Sequence, residues 1–475
     1  MAHVPFQPLV AVVGATGTGK SDLAVDLARR FDGEIINGDA MQLYEGLPII
    51  TNKITPEEMK NVPHHLLGCI GLREETWTVG RFVKRALSAI EEIRVRGKLP
   101  ILVGGTHYYT QSLLFHDALS SEPGLNTEQN GDQFPILEEP TETILAKLKE
   151  VDPTMAERWH PNERRKIQRS LEIFLKTGKP ASQVYSEQRL RTERLPAASD
   201  KLATGSMTSM RFATLILWVH AEKEILNQRL DRRVDKMLER GLLDELEMLA
   251  RFKQEHDAKS GTTVDQSRGI WMSIGYKEFL DYRKALTEPE PSATDLQQLK
   301  TKGIEKTQSA TRQYANRQLK WIRIKLLNAL IRAGQQSNVF LVDGTDLTKW
   351  EENVVQPALR VTEQFLAGQK LPSPSSFSST AAEMLQPKRS YDLGQRPDLW
   401  QRRVCATCGT VAVTENDWAL HVKSRGHRRA VGIEKKKKNN QEAAKPSLKE
   451  LQRDLIDVLE DHVHTFLEYE AMRSD

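Results

Sequence analysis

The sequence predicts an α/β protein: a mostly parallel sheet that carries a helical insertion and is followed by a small metal-binding module. Three observations predict it. Short apolar runs alternate with helical stretches from Leu9 to about Phe115. Helical periodicity then dominates from about Thr141 to Leu330, and two cysteines and two histidines cluster between Cys405 and His427.

In chain order, LVAVVG at Leu9 leads into SDLAVDLARRF, EIING at Glu34 is the next strand, and ALSAIEEIRVRG precedes the strand LPILVGG at Leu99. This is the β/α winding of a parallel sheet, assigned to residues 1–140 as the first part of the core. The stretch from Leu119 to Pro140 is rich in turn formers and is expected to be a surface excursion. A helical insertion is expected over 141–331, with a return strand near Trp218 and loops at Thr192–Met210 and Thr287–Ala293. VFLVDGT at Val339 closes the core over 332–365. Residues 366–398 are mostly Ser, Pro, Thr, Ala and Gln and read as a flexible linker, because they bury too little apolar area to offset ordering entropy. A finger at 399–434 and a tail at 435–475, with a basic run and an amphipathic helix candidate from Ser447 to Met472, complete the chain.

At 475 residues the chain exceeds one ordinary core. No apolar run approaches the ~20 residues that cross a bilayer, and the first strand starts close to the N-terminus, so neither a membrane span nor a signal peptide is expected. The net charge of +4 is small, yet the basic residues are clustered, which suits a polyanionic partner. Of three cysteines, Cys69 stands alone and Cys405 and Cys408 form a C-x-x-C pair, which fits a reducing compartment and a metal better than a disulfide framework.

After the first strand, Gly14-Ala15-Thr16-Gly17-Thr18-Gly19-Lys20-Ser21 matches G-x-x-x-x-G-K-[ST], and an amphipathic helix begins at once. The sheet is therefore expected to be P-loop NTPase-like. Backbone N–H groups curl around phosphate oxygens, Lys20 reaches a terminal phosphate and Ser21 is placed for Mg²⁺. A nucleotide hydrolase would end a later strand in an aspartate, whereas the strand at Leu99 ends in Gly104-Gly105-Thr106. Asp39 follows the second strand and is expected to face the phosphate loop, since the carboxyl ends of adjacent strands converge on the ligand crevice.

Cys405-x2-Cys408-x12-His421-x5-His427 has the ligand order and spacing of a closed, structural Zn²⁺ site in a ββα finger. Leu420 is expected to pack its small core. Arg425, Arg428, Arg429 and the lysines from Lys435 are placed to contact phosphate, although such a run is also compatible with a solvated face or an import signal.

Taken together, the phosphate loop, Ile36-Asn37-Gly38-Asp39-Ala40-Met41-Gln42-Leu43-Tyr44, Ile50-Thr51-Asn52-Lys53, Pro63-His64-His65, Val103-Gly104-Gly105-Thr106-His107-Tyr108-Tyr109, His160-Pro161-Asn162, Arg233-Val234-Asp235-Lys236-Met237-Leu238, Ser273-Ile274-Gly275-Tyr276-Lys277-Glu278 and Thr311-Arg312-Gln313-Tyr314-Ala315-Asn316-Arg317-Gln318 resemble the tRNA dimethylallyltransferase (isopentenyltransferase) family, in particular its eukaryotic members with a C-terminal zinc finger. The resemblance covers roughly Leu9 to Trp350 and the finger. It implies transfer of a dimethylallyl group from its diphosphate to N6 of the adenosine 3′ of the anticodon. The loop would then hold the leaving diphosphate with Mg²⁺. By the same resemblance Asp39 orients the attacking amine and accepts its proton, and Thr16 and Arg233 contact the diphosphate near the reacting centre. Arg229 and Arg232 lie close to Arg233, so a solvated or tRNA-facing helix is the competing reading. Asp39, Ala40, Met41, Gln42 and Thr106 would hold the extruded base, against the plainer readings of a packed methionine, a turn glutamine and a helix N-cap. Ala40 stands where the family commonly has Ser. Arg165, Lys166, Gln168 and Arg169 stand where many relatives read Gln-Arg-x-x-Arg, and with Arg164, Lys176 and Lys179 they suggest a phosphate footprint on the tRNA anticodon stem-loop. The implied protein is a cytoplasmic monomer by default, with mitochondrial or nuclear pools open. A small-molecule kinase or a nucleic-acid-binding regulator with a nucleotide switch would share the phosphate loop.

Overall fold

The computed structural model describes residues 7–116, 134–193, 210–260, 263–266, 268–289, 292–389 and 399–443. The tail helix expected at 447–472, and most of the excursion at 119–140 and of the loop at 192–210, lie outside the described residues. Among the described residues no helix is long and apolar enough to cross a membrane.

Six strands form one parallel sheet: β1 (Pro8–Gly14), β2 (Gly33–Asn37), β3 (His64–His65), β4 (Leu99–Val103), β5 (Ala213–His220) and β6 (Val339–Asp343), in the order β3-β2-β4-β1-β5-β6. The central strands are continuous apolar runs because both faces are covered. Alternation along β1 divides the core. Leu9, Ala11 and Val13 face a layer with Phe82, Ala86 and Ile90 of the helix Val79–Val95. Val10 and Val12 face Leu23, Ala24 and Leu27 of the helix Lys20–Arg30, and Ala358 and Val361 of the helix Gln356–Leu366.

The strand order amends one expectation. β2 is not the neighbour of β1, because β4 lies between them, so Asp39 reaches the phosphate loop across the end of β4. β3, two residues at the sheet edge, is too short for periodicity to reveal.

The chain divides into two compact units, residues 1–128 with 184–395, and 129–183 with 396–475. The helices Lys223–Glu239, Leu242–Ser260 and Ala293–Trp321 belong to the first, although their periodicity alone groups them with the insertion. Of the segment read as a linker, residues 366–389 are described, and a few apolar contacts hold them. The Phe377 ring packs against that of Phe340 at a tilt of 57°, with centroids 5.0 Å apart, and Ala381 and Met384 of the helix Ser379–Met384 are buried in the sheet core. Composition averages over such anchors and misses them.

The second unit contains the helices Thr141–Val151, Pro153–Arg158 and Arg164–Thr177 and the finger. β7 (Trp400–Val404) pairs antiparallel with β8 (Val411–Thr414), and the helix Glu415–Val422 follows, started by the Thr414 side chain accepting from the Asp417 N–H. The Arg158 guanidinium lies over both Trp159 and Trp400, 4.3 and 4.4 Å from the ring centroids, which ties the insertion helices to the finger hairpin. Leu420 does not pack the finger core as expected, since it is 62% exposed. One residue along a helix is a rotation of about 100°, so turning His421 toward the cysteines turns Leu420 to solvent, and Ala412 and Thr414 fill the interior instead.

Candidate active site

The phosphate loop leaves β1 at Gly14 and enters its helix at Lys20. Gly17 and Gly19 have φ of +81° and +89°, which L side chains rarely adopt, and these conformations curl the loop. Inside it the Thr18 hydroxyl and the Lys20 ammonium both donate to the Ala15 carbonyl, at 2.9 and 2.6 Å. Ser21, in the first helical turn, is exposed.

Three further segments close on this loop. From β2, the Asn37 side-chain oxygen accepts the Asp39 N–H at 3.0 Å while its amide donates to the Asp39 and Leu66 carbonyls, which fixes the turn that carries the carboxylate. Asp39 Oδ1 in turn accepts the Met41 N–H at 3.0 Å. From β4, the absence of side chains is what admits Asp39. A Cβ on Gly105 would lie 2.8 Å from Asp39 Oδ2 and 2.6 Å from Gln318 Nε2, and one on Gly104 would collide with the Gly38 backbone. From the helix Lys223–Glu239, the Arg233 guanidinium donates to the Thr16 hydroxyl at 2.9 Å. The arginine alternatives separate here, because Arg229 donates to the Gly344 and Thr345 carbonyls and Arg232 is exposed.

Gln318, on the helix Ala293–Trp321, joins these pieces. Its side-chain oxygen accepts the Thr16 N–H at 2.7 Å and its amide donates to the Gly105 carbonyl at 2.9 Å, so one side chain spans the phosphate loop and the end of β4. Tyr314, one turn earlier, stands beside Thr106 and Gln318. Sequence reasoning assigned neither residue a role, although both fall in the Thr311–Gln318 motif. Gln318 is 302 positions from Thr16 and 213 from Gly105, and no local pattern reports such partners.

The electrostatics follow from two cations and one carboxylate in a desolvated cleft. Burial pushes the Asp39 carboxyl up, opposed by the Met41 N–H and by Lys20 and Arg233. Burial also lowers Lys20 to about 8, with Asp39 opposing and Arg233 reinforcing the shift, and lowers Arg233 to about 10. Two crowded cations that lose protons more easily than usual are poised for an anion to restore them. A raised carboxylate is a stronger base than an exposed one. The arrangement combines a polyanion cradle with a basic oxygen beside it.

Around this centre, Thr106 occupies the N-cap position of the helix His107–Leu114 but does not cap it. Its hydroxyl accepts the Ala40 N–H at 3.0 Å. Met41 is half-buried with its sulfur 3.3 Å from the Ser273 hydroxyl, and the Gln42 amide donates to the Asn52 carbonyl at 2.9 Å. In the second unit, Arg165 and Lys166 are exposed on the helix Arg164–Thr177, Lys166 pairing with Glu163 and Arg169 with Glu172 at 2.8 Å. Gln168 and Arg164 donate to the Leu137 carbonyl at 3.1 and 3.0 Å. Arg164 and Gln168 therefore hold the turn at Leu137 together.

Cys405, Cys408, His421 and His427 offer ligand atoms all within 4.8 Å of one another. Cys405 Sγ is 3.5 Å from His427 Nδ1, and Cys408 Sγ is 3.5 Å from His421 Nε2 and 3.9 Å from His427 Nδ1. A tetrahedral zinc with ordinary bond lengths requires ligand separations of about 3.4–3.8 Å, so the donor set fits such an ion.

The family model described as IPP transferase matches residues 42–325. The chain is 37% identical over 452 residues to the tRNA dimethylallyltransferase of Schizosaccharomyces pombe, covering 92% of this chain and 98% of that protein. It is 37% identical over 426 residues to the Homo sapiens tRNA dimethylallyltransferase, covering 88% and 85%. A solved structure of a eukaryotic dimethylallyltransferase acting on tRNA is similar with a TM-score of 0.68 at 34% identity, covering 92% of this chain and 99% of that chain.

Proposed function

This chain belongs to the IPP transferase family, the tRNA dimethylallyltransferases, and on that premise we propose how its residues transfer a dimethylallyl group from the diphosphate to tRNA. The acceptor is N6 of the adenosine 3′ of the anticodon. The amine attacks C1 of the dimethylallyl group, the C1–O bond breaks, and diphosphate leaves with the bonding pair. The proton shed by nitrogen passes to Asp39.

The observation that carries the reading is the meeting of Asp39 with Lys20, Thr16 and Arg233 across the glycine end of β4. Gly14 to Ser21, with Lys20 and Arg233, stabilise the charge that grows on the departing diphosphate, and these groups are oriented before reaction. Ser21, exposed in the first turn of its helix, would hold Mg²⁺ together with the diphosphate, and the ion would supply further charge neutralisation. Ala40, Met41, Gln42 and Thr106 form the wall against which the extruded base rests, and Arg165, Lys166, Gln168 and Arg169 meet the tRNA backbone. Zn²⁺ on Cys405, Cys408, His421 and His427 has a structural role, since four protein ligands leave no open position.

The test is incubation of the protein with labelled dimethylallyl diphosphate and unmodified tRNA, in parallel with labelled ATP. The reading predicts label in tRNA, lowered by roughly 10²–10⁴-fold in Asp39→Ala, which is the usual worth of a positioned base. Release of the γ-phosphate of ATP, or a phosphorylated small molecule, with no label in tRNA, would overturn it in favour of a kinase.

A further inference from the structure

The helix His107–Leu114 begins directly after Gly104-Gly105-Thr106, at the mouth of the cleft that Asp39 enters. Its first residue, His107, is 4% exposed, and among the described residues neither ring nitrogen has a hydrogen-bond partner. This is costly: a buried polar group without a partner gives up its hydration for nothing in return, and most buried groups in native proteins are paired. A histidine retained only for packing would be better replaced by an apolar ring. Burial lowers the His107 imidazole to about 3, and the nearby Lys20 ammonium adds to the shift. The ring is therefore neutral and always offers one N–H donor beside the phosphate lysine.

We propose that His107 is a further substrate-binding residue whose imidazole N–H donates a hydrogen bond to an oxygen of the bound prenyl diphosphate. The proposal rests on the reading that the phosphate loop holds that diphosphate. It assigns the orphaned nitrogen a partner of the right chemistry: an anionic oxygen accepts strongly from a neutral donor and needs no further positive charge in a cleft that already crowds Lys20 and Arg233. A neutral donor also adds binding without increasing the repulsion between those two cations.

The test compares His107→Phe, His107→Asn and Lys20→Ala in the full chain. It reads the KM for dimethylallyl diphosphate, the KM for tRNA, and the affinity for inorganic diphosphate. His107→Phe is expected to raise the KM for dimethylallyl diphosphate and weaken diphosphate binding by about tenfold, with the KM for tRNA unchanged and His107→Asn, which keeps an N–H donor, recovering part of the loss. A folded His107→Phe with both quantities unchanged, while Lys20→Ala loses them, overturns the role of His107 and leaves the phosphate-loop reading standing. If Lys20→Ala also changes neither, the phosphate-loop reading fails and takes the proposal with it. Should the His107 variants not fold, the ¹⁵N resonances of the wild-type imidazole, assigned through the segment-labelled chain, decide. Displacement of the protonated ring nitrogen by saturating diphosphate supports the hydrogen bond, and an unmoved ring overturns it.

Discussion

At the scale of single residues, the cleft depends on groups that are individually ordinary. Gln318 illustrates this, because its two hydrogen bonds set the distance between the phosphate loop and the end of β4. Gln318→Ala removes both and leaves the Gly105 carbonyl and Thr16 N–H without their partner. We expect a loss of about 2–3 kcal/mol in kcat/KM, which is roughly 30- to 150-fold, together with a modest fall in thermal midpoint. Steady-state kinetics beside a melting curve checks both, and an unchanged kcat/KM contradicts the linking role. Lys20 makes a second expectation. In the free protein it loses its proton around pH 8, and a bound diphosphate raises it again. Diphosphate binding should therefore take up almost no proton near pH 7 and approach one proton at about pH 9. Calorimetry in two buffers of different ionisation enthalpy measures this uptake, and none at the higher pH contradicts the assignment of Lys20 to the diphosphate.

What the sequence conveys at this scale divides by distance along the chain. Gly14 to Ser21 and the four metal ligands form compact patterns whose spacing is itself the chemistry, so they are legible. Thr16 and Arg233 are 217 positions apart, and only family resemblance pairs them. Gln318 and His107 stand inside quoted motifs, yet their roles come from burial and from partners that the packing alone decides.

At the scale of elements, the edge of the sheet is held by charge. Glu34 of β2, 4% exposed at its side chain, receives Arg96 and His65 at 2.6 Å each and lies 3.7 Å from Lys98. The Arg96 hydrogen bond is the largest cause that holds its carboxyl down at about 2. A carboxyl held lower in the folded chain than in the unfolded one stabilises fully above the ordinary carboxylate range. That contribution drains away as pH falls from about 4.5 to about 2. Glu34→Ala is expected to lower stability by about 2 kcal/mol at neutral pH, with the denaturant slope unchanged, and to lose its deficit relative to wild type on acidification. An equal deficit at all pH values would contradict the ionic origin. The finger makes a separate expectation. Its described interior is little more than Ala412, Thr414 and the buried Cys405, so a zinc bound there is expected to supply most of its cohesion. Chelation should remove one zinc per chain and abolish hydrogen-exchange protection across residues 399–434 while the six-stranded sheet keeps its own. Protection that survives chelation would contradict a structural metal. Element boundaries were legible where periodicity was strong, as in Val79–Val95. They failed where a few anchors decide, as in Ser379–Met384, and where a helical phase decides which side chain turns inward, as with Leu420 and His421.

For the whole molecule, the parallel sheet and the separate finger follow from patterns that extend over many residues. The grouping of the helices does not. Lys223–Glu239 and Ala293–Trp321 look like part of an insertion by period, but their apolar faces and the pairing of Arg312 with Asp231 draw them onto the sheet unit. That placement builds the cleft, because these two helices deliver Arg233 and Gln318 to a site whose other walls arise from β1, β2 and β4. The central claim is that the carboxylate of Asp39 acts on the acceptor amine and not on the diphosphate. It is tested most directly by single-turnover transfer with saturating tRNA in wild type and Asp39→Asn, alongside the affinity of each for dimethylallyl diphosphate. A fall of more than about 100-fold in the transfer rate, with diphosphate affinity kept within about threefold, is the result predicted. A transfer rate within a few-fold of wild type, or a loss confined to diphosphate binding, would contradict the claim.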